Sequence, residues 1–218
     1  MAACHRLIVF TRFPRPGTTK TRLIPALGRE GAAALQRRLT GMTLAAVEPL
    51  RQDSGQDRGV VVEIRYAGGH RAAMLDWLGD RYLYGAQGRG DLGERLARAG
   101  RDAFRRGATK VVIIGTDCPA LTAEVVSRAF LHLATADLVV GPALDGGYYL
   151  IGLNRPTPEL FKDIPWGSSL VLRATLAQAG RLGLSAARLP ILRDLDRPED
   201  LEQLEKMNVE HRTSNVEF

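Results

Sequence analysis

The sequence predicts an α/β protein, a three-layer sandwich with a mostly parallel central sheet. Three observations carry that expectation. Apolar runs of strand length alternate with longer segments of helical period along the chain. Alternation of this kind packs helices on both faces of a parallel sheet. The third is size: 218 residues, 45% hydrophobic and 25% charged, suffice for one substantial core.

The elements follow in order. RLIVFT (6–11) reads as a buried strand, and residues 28–50 place Ala, Leu and Met at helical spacing. GVVVEIRYA (59–67) is a strand, HRAAMLDWL (70–78) a short helix and RYLYGA (81–86) a short strand. DLGERLARAGRDAFRRG (91–107) is an amphipathic helix, started by Asp91 with Glu94. KVVIIGT (110–116) is the most strand-like run of all. Thr122 N-caps the next helix, with Glu124 in its first turn favouring the dipole. DLVVG (137–141) and YYLIGL (148–153) are strands, followed by a helix over 168–182, a strand over 186–191 and a terminal helix from about 197. There Asp196 reads as the cap, with Glu199 three residues on and Pro198 in the first turn. No repeat, low-complexity tract or linker divides the chain, so one domain is expected over 1–208, with 209–218 a flexible tail.

Composition narrows the function. No apolar run reaches the roughly 18 residues of a membrane span, and CHRLIVF is too short and poorly flanked for a signal peptide. The two cysteines, Cys4 and Cys118, form no metal-ligand spacing and fit a reducing cytoplasm. The four histidines are scattered and suggest neither a zinc site nor a triad. The net charge of +6 is an N-terminal excess: Arg6, Arg12, Arg15, Lys20, Arg22 and Arg29 precede the first acid, Glu30, and the remaining charges cancel. No nucleic-acid motif or aromatic platform accompanies that charge, so nucleic acid is not an expected partner.

In an open parallel sheet, ligands sit beyond the carboxyl ends of the strands. Four segments fall there: the basic loop after the first strand, the AQGRGD loop, Asp117 after VVIIGT, and the ALDGG turn. The first loop, FPRPGTTKTRL, is stiffened by Pro14 and Pro16 around Gly17, and its cations suit phosphate oxygens. It is not a Walker A loop. Asp117 follows a buried strand, and no cap role or nearby base occupies it, so it is the expected Mg²⁺ ligand. Asp145 precedes Gly146 and Gly147, which allow close ligand approach but equally make a turn. With Asp196 assigned to the cap, Asp194 is the better ligand candidate. Gln87, with Gly88 and Gly90, offers an amide to a nucleobase edge. Trp166 is either core or a lid.

FPRPGTTKTRL, QGRGDLGERL, IIGTDCPAL, GPALDGGYYLIGL, IPWGSSLVL and LRDLDRPEDL, in that order, resemble the bacterial family called selenodomain-associated transferase 1. The resemblance runs over residues 6–205 and implies the glycosyltransferase-A-type, Rossmann-like fold of nucleotide-diphospho-sugar transferases. More distantly the layout is similar to cofactor nucleotidyltransferases, where a basic loop grips phosphate, a Gln-Gly loop reads the base and an aspartate holds Mg²⁺. Carried over, these roles fall on Lys20 and Arg22, on Gln87, and on Asp117, with Asp145 and Asp194 where further metal or substrate groups would be. GTDCP has a single aspartate where many glycosyltransferases have D-x-D, and WGSS departs from the family's W-S-T form.

The expectation is a cytoplasmic transferase that uses a nucleotide donor and Mg²⁺ or Mn²⁺. Nucleotidyl transfer from a nucleoside triphosphate to a small phosphorylated or acidic acceptor is preferred, because the first loop is densely cationic. Glycosyl transfer from a nucleotide-diphospho-sugar is the alternative, and a non-catalytic nucleotide-binding module the third. Lys20, Arg22 and Asp145 are the expected catalytic groups. Arg12, Gly17, Lys20, Arg22, Gln87, Gly88 and Gly90 are the expected nucleotide-binding set, and Asp117 and Asp194 the metal ligands.

Overall fold

Alternating apolar residues bury both faces of one sheet. In the computed structural model, which describes residues 4–51 and 59–201, strands β1 (Cys4–Arg12), β2 (Val60–Ala67), β3 (Leu83–Ala86), β4 (Ala108–Ile114), β5 (Leu138–Pro142), β6 (Tyr148–Leu153) and β7 (Ala186–Arg188) form it. Their order is β3-β2-β1-β4-β6-β5-β7. All neighbours are parallel except β6, which runs antiparallel to both β4 and β5. The order reverses at β1 and β4, whose register pairs Val9 with Ile114.

The helices are α1 (Ile24–Val47), α2 (Arg71–Leu78), α3 (Leu92–Arg105), α4 (Ala123–His132) and α5 (Val171–Arg181). Because strand side chains alternate, Leu7, Val9, Val112 and Ile114 pack with Leu44 and Val47 of α1, Met74 of α2 and Phe130 of α4. Ile8, Val111, Ile113 and Ile151 face the other way, onto Leu96 and Ala99 of α3 and Ala179 of α5. The predicted three-layer sandwich is therefore the observed one.

Differences lie at element ends. The helix expected from residue 28 starts at Ile24 and kinks at Gly28, whose φ of 71° and ψ of 173° leave helical space. The Asp91–Glu94 capping box and the Thr122 cap form as expected. The helix expected from 197 is described only as a 3₁₀ turn at Pro198–Asp200, and the expected tail, 209–218, lies outside the described residues. Among the described residues no helix is long and apolar enough to cross a membrane.

Candidate functional site

The carboxyl ends of β1 and β4 open onto a cavity of about 520 Å³, where the strand order reverses. The loop after β1 forms one wall. Thr19, almost fully buried, donates its hydroxyl to the Phe13 carbonyl and accepts from the Arg15 N–H, which folds the loop on itself. Lys20 follows with a left-handed φ of 49° at the head of a 3₁₀ turn, Thr21–Leu23. The floor is a buried polar knot: Gln36 of α1 donates from Nε2 toward the hydroxyls of Thr11, Thr40 and Thr116, at 3.1–3.2 Å. It ties α1 to β1 and to the residue just before Asp117.

A second segment closes the site from the far end of the chain. Leu192 makes a parallel bridge with Ala143, and the Leu195 N–H donates to the Asp117 carbonyl at 2.7 Å. The Leu195 side chain packs into a small cluster with Leu23, Leu35 and Leu39. With Leu195 pinned there, Asp194 and Asp196 flank it at the site: Asp196 lines the first cavity, and both line an adjoining one of about 280 Å³.

The charges pair across this junction. Lys20 Nζ lies 2.9 Å from Asp117 Oδ1 and 3.8 Å from Asp196 Oδ1, and it donates to the Leu195 carbonyl at 2.5 Å. Its side chain is 4% exposed. Arg22 pairs with Asp196 at 2.5 Å. Two expectations are thereby corrected. Asp117 is not an unpaired carboxylate, and the acids that balance the basic loop come from residues 117 and 196, far along the chain. Asp196 is also not the cap. The Asp200 carboxylate accepts from the Asp196 and Arg197 N–H groups at 3.2 and 2.9 Å, leaving Asp196 free to face the cavity.

The other expected nucleotide contacts divide. Arg12 lines the first cavity and donates to the Thr18 carbonyl. Gln87 also lines it, but Nε2 already donates to the Thr11 and Arg65 carbonyls, both at 3.0 Å, so its amide nitrogen is not free to read a base. Gly17, Gly88 and Gly90 line neither cavity. Gly88 and Gly90 instead have φ of 84° and 100° and stand where a Cβ would strike Arg98 and Glu94. They shape the turn.

The second cavity gathers Asp117, Asp145, Asp194 and Asp196 beside Cys118 and Trp166. Trp166, partly buried, stands edge-on to Tyr148 with ring centres 6.3 Å apart; it packs against the core on the α3 side and also lines this cavity. Burial and the charges of Asp145, Asp196 and Asp117 hold the Asp194 carboxyl above its ordinary pKa. Burial and the charges of Asp194, Asp117 and Asp145 push the Cys118 thiol up, which favours its protonated form. Ser168 closes a turn, donating to the Pro165 carbonyl and accepting from the Leu170 N–H.

Carboxylate oxygens are the donors Mg²⁺ and Mn²⁺ take. Among the described residues no three His, Cys, Asp or Glu side chains stand close enough together to enclose an ion. Asp117 and Asp196 do share one cation, the Lys20 ammonium. A divalent ion at this pair would therefore need most of its ligands from substrate oxygens, as Mg²⁺ commonly takes them, since the residues form no preformed cage.

Sequence reasoning missed Gln36, Arg95 and Asp196. Asp196 had a signal: LRDLDR alternates as an extended segment does, which puts both aspartates opposite Leu195. Arg95 reaches the first cavity from the open face of α3, and no local pattern distinguishes it from its arginine neighbours.

A family model described as "Uncharacterized protein conserved in bacteria (DUF2064)" matches residues 51–168. No curated protein sequence is significantly similar. Among solved structures, a candidate nucleotide-diphospho-sugar transferase from Desulfovibrio desulfuricans G20 is 33% identical, with a TM-score of 0.86 over 94% of this chain and 88% of that one. CMP:2-keto-3-deoxy-manno-octonic acid synthetase in complex with CTP superposes with a TM-score of 0.56 at 8% identity, over 96% of this chain and 100% of that one. Glucosyl-3-phosphoglycerate synthase from Mycobacterium tuberculosis, with Mn²⁺, UDP and glucosyl-3-phosphoglycerate, gives 0.54 at 14% identity, over 93% and 76%. At such identities the last two speak for a shared fold alone.

Proposed function

The chain belongs to the bacterial DUF2064 family, and on that premise we propose that it is a transferase using a nucleotide-diphospho-sugar donor and a divalent cation. The observation that carries this reading is the charge count in the first cavity. Lys20 and Arg22 are matched by Asp117 and Asp196. Arg12 and Arg95 keep only carbonyl partners, Thr18 and Gly90, and no acid pairs with either among the described residues. Two free guanidiniums suit a diphosphate, whereas the triphosphate favoured from sequence carries more charge than they balance. The 33%-identical neighbour described as a candidate nucleotide-diphospho-sugar transferase supports the same choice.

In this reading Arg12 and Arg95 hold the diphosphate, and Lys20 and Arg22 brace the carboxylates at the cavity wall. Asp117 and Asp196, which share the Lys20 ammonium, would hold Mg²⁺ or Mn²⁺, which when bound offsets charge on the departing diphosphate, while Asp194 lines only the second cavity. Asp145 sits in the second cavity and takes the proton from the attacking acceptor group. The new bond to the anomeric carbon forms as its bond to phosphate oxygen breaks, and the nucleoside diphosphate leaves with that electron pair. Among the described residues no helix suits a membrane span, and the donor and acceptor are small molecules.

The test is a thermal-shift panel of nucleoside triphosphates and nucleotide sugars, with Mg²⁺ and with chelator. A ligand that binds only the folded state raises its melting point. Product analysis then separates the chemistries: nucleoside diphosphate for glycosyl transfer, pyrophosphate for nucleotidyl transfer. If no nucleotide stabilises the protein, the reading fails.

A further inference from the structure

The two cavities share a wall at Asp117 and Asp196 but differ in charge. Among the described residues, the second is lined by four aspartates and by no lysine, arginine or histidine. Two of the four, Asp117 and Asp196, pair with Lys20 and Arg22. Asp145 and Asp194 form no ion pair among the described residues; Asp145 accepts the Gly147 N–H at 2.8 Å. Trp166 lines the same cavity. Its place is cleared by Gly93, where a Cβ would lie 2.8 Å from the indole nitrogen and 2.6 Å from the Phe161 carbonyl. An anion entering this space meets uncompensated carboxylates, a juxtaposition that rejects partners of like charge. A ligand rich in hydrogen-bond donors finds acceptors in the carboxylates and an apolar face in the indole.

We propose that this second compartment holds the acceptor and selects one without phosphate or carboxylate groups, a compact molecule rich in hydroxyl or ammonium donors. The proposal rests on the transferase reading above and reverses the acidic acceptor expected from sequence.

The chain has two tryptophans, so Trp77→Phe leaves Trp166 as the only one. Quenching of its fluorescence by caesium, iodide and neutral acrylamide, in chelator, reads the sign of the local field. Relative to free N-acetyltryptophanamide, caesium is expected to be favoured over iodide by about threefold or more, since surface potentials reach several kT. Asp145→Asn and Asp194→Asn should each lower that ratio. Should Trp77→Phe fold poorly, the difference between wild type and Trp166→Phe gives the same quantity. Saturation-transfer NMR with glucose, glucosamine, glucuronate and glucose 6-phosphate then tests the ligand class. The first two should bind in preference to the last two, and glucosamine against glucose separates ammonium from hydroxyl recognition. Iodide quenching equal to that of caesium, or anionic sugars binding as well as neutral ones, overturns the proposal. If none of the four sugars binds, the quenching ratio decides alone. Failure of every nucleotide in the thermal-shift panel would sink the donor reading and leave the quenching result standing.

Discussion

Replacing Lys20 with methionine keeps the length of the side chain and removes its charge. From the basic loop alone, such a change should weaken nucleotide binding and leave the melting temperature almost untouched. The structure reverses the second half. The ammonium is nearly buried, with a carbonyl and two carboxylates around it. A hydrogen bond to a charged group contributes about 1.5–3 kcal/mol. Asp117 and Asp196 are 47% and 34% exposed, so solvent screens much of their share. The left-handed backbone of residue 20 strains lysine and methionine alike and cancels. A net loss of about 2–3 kcal/mol remains, equivalent to a fall of roughly 4–12 °C in melting temperature for a chain of this size. Thermal denaturation of wild type, Lys20→Met, Asp117→Asn and the double variant measures it. The double variant should lose less than the two single losses together, by about 1 kcal/mol. Since the ammonium sits between the two carboxylates assigned to the metal, Lys20→Met should also bind Mn²⁺ severalfold more tightly by titration calorimetry. A melting temperature within about 1 °C of wild type, or strict additivity, would refute the clamp.

Asp200→Ala should cost about 0.5–2 kcal/mol in thermal denaturation, as loss of a helix-start acceptor does, whereas Asp196→Asn should cost less and weaken Mg²⁺-dependent nucleotide binding. Gly93→Ala should destabilise by about 1–3 kcal/mol through overpacking and shift Trp166 emission, because its new methyl meets the indole and the Phe161 carbonyl. Burial works to raise the Asp102 carboxyl, but hydrogen bonds and charge from Arg105 and Arg65 outweigh it and hold its pKa below the ordinary 3.8. A depressed acid stabilises the fold above its unfolded pKa and loses that contribution as pH falls through the folded one. The gap in melting temperature between wild type and Asp102→Asn should therefore be full above about pH 5 and shrink steadily below pH 4; a gap that persists at pH 2 would remove Asp102 from the ion network.

The strands and helices were legible because alternation and helical period are local properties, while most element ends moved by one to four residues. The site was legible to the extent that chain position fixes it: Lys20, Arg22, Asp117, Asp145 and Asp194 all fall at strand ends on one edge, and all line one cavity or the other. What could not be read was charge pairing. Asp117 has no base close by along the chain, yet its partner stands on the adjacent parallel strand's loop, because β1 lies beside β4. Arg22 and Asp196 are 174 residues apart in sequence and in contact in space. The cations of the basic loop suit a triphosphate only until Lys20 and Arg22 are seen to be matched already. At a switch edge, the charge left for a ligand depends on which loops the sheet order makes neighbours. Here that order leaves Arg12 and Arg95 to one cavity and Asp145 and Asp194 to the other. On the transferase reading, diphosphate and acceptor would divide between the two cavities on charge alone.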